Sequence, residues 1–256
     1  MNELTFCSLH PVLQEGSLES RLAKLNPAWC WQPASEDAQP LGRLLKDDVF
    51  AQQAVLTFQK AHQAPTAKVA ASLVHKQWVA HLLSPLVAVH LLSGRPISPW
   101  QQLGYDVQAS RLGWTTQPFG ENESPALFFD TVTGIANACF ALFRRNFSVS
   151  PRILWSNTAL AMASPWSRLQ PFEVDGNVIN RQLVAFFSHF PPSLAQSVQW
   201  LTITQGDKTV CMPRRLSCCL KYALPGKGKA LCGTCQRRSE AEQVALINQR
   251  FFKQKA

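Results

Sequence analysis

Cysteine chemistry is concentrated near the C-terminal end. Of eight cysteines, five lie between Cys211 and Cys235, and four of these form a metal-binding pattern: Cys218-Cys219, twelve residues, then Cys232 and Cys235 in a CxxC turn. Thiolates are soft ligands that select zinc, Cu(I) or iron-sulfur clusters, and four of them complete either a tetrahedral zinc site or the two irons of a [2Fe-2S] rhomb. A CxxC turn is expected to bring two sulfurs close enough to share one metal. The vicinal pair is the unusual part. Neighbouring side chains in extended backbone point to opposite faces, so both thiols reach one centre only if the chain turns there. Zinc ribbons use two spaced pairs, which weighs against structural zinc, yet spacing alone leaves zinc and iron-sulfur both open. Cys211 is a substitute ligand by position but reads better as a strand residue. Cys7, Cys30 and Cys139 sit singly among apolar neighbours and read as inert thiols.

The net charge of +9 surrounds the same segment. Eleven of the 25 Lys and Arg residues, but only two of the 16 Asp and Glu, lie from Lys208 onward, which leaves 14 of each sign before it. Arg214, Arg215, Lys221, Lys227, Lys229, Arg237 and Arg238 are candidates for a face that docks an acidic electron donor and favours a reduced, more negative metal centre. The rival use of such charge is nucleic-acid binding around a zinc module. Only Tyr222, Phe251 and Phe252 are available there to stack on bases, so no nucleic-acid partner is expected. Arg144, Arg145 and Arg152 flank a turn beside Trp155 and are candidates to face an anionic substrate, against the plainer reading of a solvated helix end. His75, His81 and His90 lie in apolar stretches and read as structural. The sequence holds no phosphate-binding loop, no dinucleotide glycine fingerprint and no nucleophile elbow.

The elements that must position these groups are mostly helical. At 256 residues and 46% hydrophobic content the chain is long enough for a substantial core. Apolar residues at helical spacing predict helices over 41–62, 66–83 and 84–92, then over 126–143, 152–169 and 178–190, with Ser150-Pro151 and Asp175-Gly176-Asn177 as helix starts. The stretch 100–120 is rich in glycine and polar residues and is left as strand or ordered loop. Alternation over 198–204, a Gln205-Gly206-Asp207 turn and 209–212 predict a β-hairpin leading into the cysteines. Ser239 and Glu242 form a capping box for a last helix over 239–253. The expected fold is α+β, predominantly α-helical, with a small C-terminal metal-binding segment. Its expected division is a helical domain at 1–207 and a basic metal-binding segment at 208–256.

The start Met1-Asn2-Glu3-Leu4-Thr5-Phe6-Cys7 lacks the cationic head and apolar run of an export signal, so a cytoplasmic location is expected. Thiols stay reduced there, which argues against a disulfide framework. Polar residues interrupt 81–93 and 126–143, so neither is expected to span a bilayer, although association with the inner-membrane surface stays open.

The stretch Arg215-Leu216-Ser217-Cys218-Cys219-Leu220-Lys221-Tyr222-Ala223-Leu224-Pro225, followed by Cys232-Gly233-Thr234-Cys235, resembles the C-terminal motif of the FhuF-like ferric-siderophore reductases. A weaker likeness upstream, at His81-Leu82-Leu83-Ser84-Pro85-Leu86 and Leu154-Trp155-Ser156-Asn157-Thr158-Ala159, extends it to about residues 65–236. The resemblance implies a [2Fe-2S] cluster ligated by Cys218, Cys219, Cys232 and Cys235. It implies a reductase that passes one electron to siderophore-bound Fe(III), hydroxamate favoured over catecholate, and draws electrons from a flavodoxin or ferredoxin. Two departures stand out: a loop about two residues longer than usual between the cysteine pairs, and Gln236 where proline often follows. A glycine- and lysine-rich loop absorbs such an insertion at little entropic cost. An electron carrier or iron-sulfur sensor without a siderophore substrate is the remaining alternative.

Overall fold

The computed structural model describes residues 11–30, 36, 38–95, 99–106, 111–114, 126–226 and 231–252. It is predominantly α-helical with two small antiparallel sheets, as the hydrophobic periodicity predicts. Helix α1 (Leu18–Leu25) starts at Ser17, whose hydroxyl accepts from the Ser20 N–H. Strand β1 (Gln39–Pro40) leads directly into α2 (Leu41–Leu44). The single helix expected over 41–62 is therefore two. Asp47 stands between α2 and α3 (Asp48–Ala61) and caps the second, accepting from Phe50 N–H at 2.9 Å. An aspartate so placed satisfies an N-terminal donor that a continuous helix would not leave free.

The two helices expected over 66–92 are instead one. Helix α4 (Ala67–Ser93) runs 27 residues through Pro85, from the Thr66 cap to Gly94 in the left-handed conformation (φ 64°). Burial on nearly every side holds it together, and its polar Ser84 donates to the Ala161 carbonyl of the neighbouring helix at 2.8 Å. Tertiary packing here overrides the local tendency of proline to break a helix.

Strands β2 (Leu103–Asp106) and β3 (Arg111–Trp114) form an antiparallel sheet with β1, with Gln39 opposite Tyr105 and Gly104 opposite Gly113. Helix α5 (Ala126–Asn146) packs on α3, α4 and α6 (Pro151–Ser167). Over Leu127–Asn146 it is long and apolar enough to cross a membrane by length and composition, which corrects the expectation that this stretch falls short. Its Phe128, Val132, Ile135, Cys139 and Phe143 are fully buried in the fold. The pairing of α4 with α6 forms the centre of the molecule.

Helices α7 (Gly176–Phe187) and α8 (Pro192–Ala195) follow, then the hairpin of β4 (Val198–Gln205) and β5 (Lys208–Arg215), and last α9 (Glu240–Phe251). Asp175 caps α7, accepting from the Asn177 and Val178 N–H groups. Gly176 lies so close to β5 that a Cβ there would stand 2.7 Å from the Val210 carbonyl carbon, so only glycine lets the helix start on the strand. The boundary expected at 207/208 falls inside this hairpin. Strand β5 is hydrogen-bonded to β4, and Cys211 and Cys219 belong to the main core.

Candidate metal centre

Strand β5 ends at Arg215 and α9 begins after Ser239, and among the residues described between them only Lys221–Ala223 form a regular turn. Helix side chains hold this stretch by its carbonyls. Ser72 of α4 donates to the Cys219 carbonyl at 3.0 Å, and Ser156 of α6 donates to the Ser217 carbonyl at 3.5 Å. The guanidinium of Arg238 donates to the Cys232 and Leu231 carbonyls at 3.2 and 2.8 Å, and Arg214 donates to the Arg238 carbonyl at 3.1 Å. The Arg215 N–H donates to the Thr234 carbonyl at 3.0 Å, which ties the end of β5 to the CxxC turn. That turn closes with the Cys235 N–H on the Cys232 carbonyl at 3.1 Å.

The backbone bend that the vicinal pair requires is present. Leu220 adopts the left-handed conformation (φ 65°), uncommon for a branched residue, directly after Cys219. The turn directs the Leu220 N–H to the Cys218 sulfur and the Lys221 N–H to the Cys219 sulfur. Such bonds favour the thiolates a metal needs.

All four thiols converge, as two close pairs. The sulfurs of Cys218 and Cys235 lie 4.0 Å apart, and Cys219 and Cys232 share a hydrogen bond. Each pair takes one cysteine from each motif. Vicinal side chains diverge, so Cys218 and Cys219 each find a partner across the turn. No group of three His, Cys, Asp or Glu side chains among the described residues closes on a single ion. Two pairs of sulfurs are the donor set of a two-iron rhomb, and these residues fit a [2Fe-2S] cluster.

The electrostatics agree with that use. The Cys219 thiol is held well below its usual range, first by the hydrogen bond from Cys232 and then by the positive charges of Lys76 and Arg215. The Cys232 thiol is pushed up by that same bond and by burial. Outside the cluster, burial pushes Cys211 up to about 11 and Cys139 up to about 12, so both stay protonated and unreactive. Cys30 donates to the Glu19 carbonyl, and Cys7 lies outside the described residues.

The charged candidates separate into distinct roles. Arg215 has no exposed surface and cannot belong to a docking face, which corrects its assignment there. Arg214 and Arg238 are half-buried clamps on the turn. Lys221 and Arg237 are exposed, the latter lying 3.9 Å over the Tyr222 ring. Lys227 and Lys229 lie outside the described residues.

Of the four substrate candidates, Arg152 and Trp155 line one cavity of about 540 Å³ together with Leu216 and Ser217, next to Cys218. One face of Trp155 is stacked on Phe140 at 4.3 Å. Arg145 is instead held by Asp48, its Nε donating at 3.0 Å, and Arg144 turns back to the Val149 carbonyl. A second cavity, of about 350 Å³, brings Lys76, His62 and His81 together with Lys221 and Leu224.

Sequence reasoning missed Lys76, Ser72 and Asn157. Their signal is a run of small or polar residues, Ser72, His75 and Lys76, recurring at helical spacing inside an otherwise apolar helix.

Residues 215–235 match the family model described as the FhuF 2Fe-2S C-terminal domain. No curated protein and no solved structure matches the chain. The family match decides between the metals that spacing left open: the centre is a [2Fe-2S] cluster.

Proposed function

Because residues 215–235 are an FhuF-type 2Fe-2S domain and the chain is an iron-sulfur redox protein, we propose that it reduces ferric siderophores in the cytoplasm. The observation that carries this reading is the cleft in which Arg152 and Trp155 meet Leu216 and Ser217, the residues that lead into Cys218. Hydroxamate and catecholate siderophores hold Fe(III) through hard anionic oxygens and hold Fe(II) far more weakly, so one electron is enough to release the metal. When bound, the [2Fe-2S] cluster supplies that electron.

The protein's own residues bring the reactants together. Arg152 attracts an anionic chelate, the open face of Trp155 offers an apolar wall, and Leu216 and Ser217 set the approach to Cys218. Half-burial of Cys218 and Cys232 keeps the path for the electron short at the surface, while Cys219 and Cys235 are shielded. Lys221 and Arg237 form a cationic face for an acidic donor such as a flavodoxin or ferredoxin. No acid, base or nucleophile is needed.

The test is anaerobic mixing of dithionite-reduced protein with a ferric hydroxamate in the presence of an Fe(II) chelator. The cluster should reoxidise as the chelator takes up one iron per cluster, and Arg152→Glu should raise KM several-fold. A cluster that stays reduced before a range of ferric hydroxamates and catecholates would assign the chain to electron carriage or sensing.

A further inference from the structure

Arg215 is a cation in the interior, with no carboxylate against it among the described residues. Its side chain has no solvent exposure. One terminal nitrogen donates to the Asn157 side-chain oxygen, while Nε and Nη1 are buried with no partner among the described residues. Asn157, itself buried on α6, donates its amide to the Ser72 carbonyl at 3.0 Å and lies 3.4 Å from His75 Nδ1. His75 is neutral and fully buried, its other nitrogen likewise without a partner. The titratable groups that the guanidinium acts on are His75 from α4 and Cys219 from the cysteine turn. Among the described residues the groups that the guanidinium meets are the neutral Asn157 and His75 and the Cys219 sulfur, one of the four candidate ligands.

An isolated guanidinium taken out of water is strongly unfavourable unless a negative charge is supplied and its remaining donors are satisfied. Four thiolates and two bridging sulfides on two ferric irons leave a net negative centre, and one added electron makes it more so. We propose that Arg215, held in place by Asn157 between α4 and α6, is the buried counter-charge of the [2Fe-2S] cluster and raises its reduction potential. It acts as a positioning residue through the cluster. The inference rests on the cluster alone and is independent of what the cluster reduces.

The experiment is a redox titration of the cluster-loaded full-length chain, followed by visible absorption and by the electron paramagnetic resonance of the reduced state. At the parent midpoint, Arg215→Gln should lower the reduced-to-oxidised ratio roughly tenfold, about 59 mV for one electron. Asn157→Asp sets a carboxylate on the guanidinium without removing it and should shift the midpoint in the same direction. Lys221→Gln, at an exposed site, should shift it by less than either. A packing role alone would change iron content or stability and leave the midpoint in place. Unchanged midpoints in loaded Arg215→Gln and Asn157→Asp proteins would therefore overturn the proposal. Should Arg215→Gln fail to retain iron, Arg215→Lys decides: retention with a near-parent midpoint supports the charge, and failure alongside an unshifted Asn157→Asp overturns it.

Discussion

The α4–α6 pair and the cysteine segment 216–238 are stabilised in opposite ways. Helices α4 and α6 bury residues on almost every face, among them Val79, Leu83, Leu86, Leu154, Met162 and Trp166, and their stability comes from apolar burial. Among its described residues the cysteine segment has one short 3-10 turn (Lys221–Ala223) and no buried side chains besides Cys219 and Cys235. Its carbonyls are held by Ser72, Ser156 and Arg238, and its thiols are left for metal. A segment so poor in apolar contacts draws its order from coordination, as small metal-bound units do. The body is thus a preformed platform, and the segment is completed on it.

The largest expected effect tests that division. Serine at Cys218, Cys219, Cys232 or Cys235 should remove most of the iron, because a hard oxygen replaces a soft thiolate poorly. Amide exchange in 216–238 should then speed up at least tenfold while α4 and α6 keep their protection, as read by hydrogen exchange with mass spectrometry. Cys139→Ala should keep its full iron content. Equal loss of protection in α4 would show that the two regions are one cooperative unit.

A smaller effect probes the joint between them. Gly176→Val drives a side chain into the β5 backbone, where no flexible group can yield, and should cost about 3 kcal/mol in denaturant unfolding. A cost well under 1 kcal/mol would mean that α7 can lift from the strand.

The smallest concerns the polar seam inside the body. Burial, with a lesser contribution from Arg215, lowers His75 to about 3, well below the ordinary histidine value near 6.5. The unfolded chain binds the proton first, so the contribution of neutral His75 is complete above pH 6.5 and is lost as pH falls toward 3. By pH 5.5 the loss should reach about 1.4 kcal/mol. His75→Leu should flatten that part of the stability profile between pH 7 and 5.5, and an unchanged slope would place the titration elsewhere.

Much of this arrangement is legible in the sequence because it depends on local chemistry. The Ser239/Glu242 capping box is formed in both directions, the β4–β5 hairpin turns at Gly206, and Asp175 caps α7, each fixed by a few neighbouring residues. The four cysteines named by their types and spacing lie as two close pairs, Cys218 with Cys235 and Cys219 with Cys232. What the sequence conceals depends on distant packing. Pro85 reads as a helix boundary and is carried through because α4 is enclosed by other elements. Arg215 reads as one more surface cation in a basic tract, yet it lies inside, because its place is set by Asn157, 58 residues away. The pairing of the sulfurs across the two motifs depends on the left-handed Leu220, which no residue preference announces.

The bond from Ser72 to the Cys219 carbonyl spans 147 residues of chain. During synthesis, at about 5–20 residues per second, the partner on α4 is therefore made roughly 7–30 s before the cysteine it will hold. Helices that close on one another in less than that time present a finished surface when the vicinal cysteines emerge. Thiols that are exposed last spend the least time unguarded, and their first encounter is with the protein that will seat them.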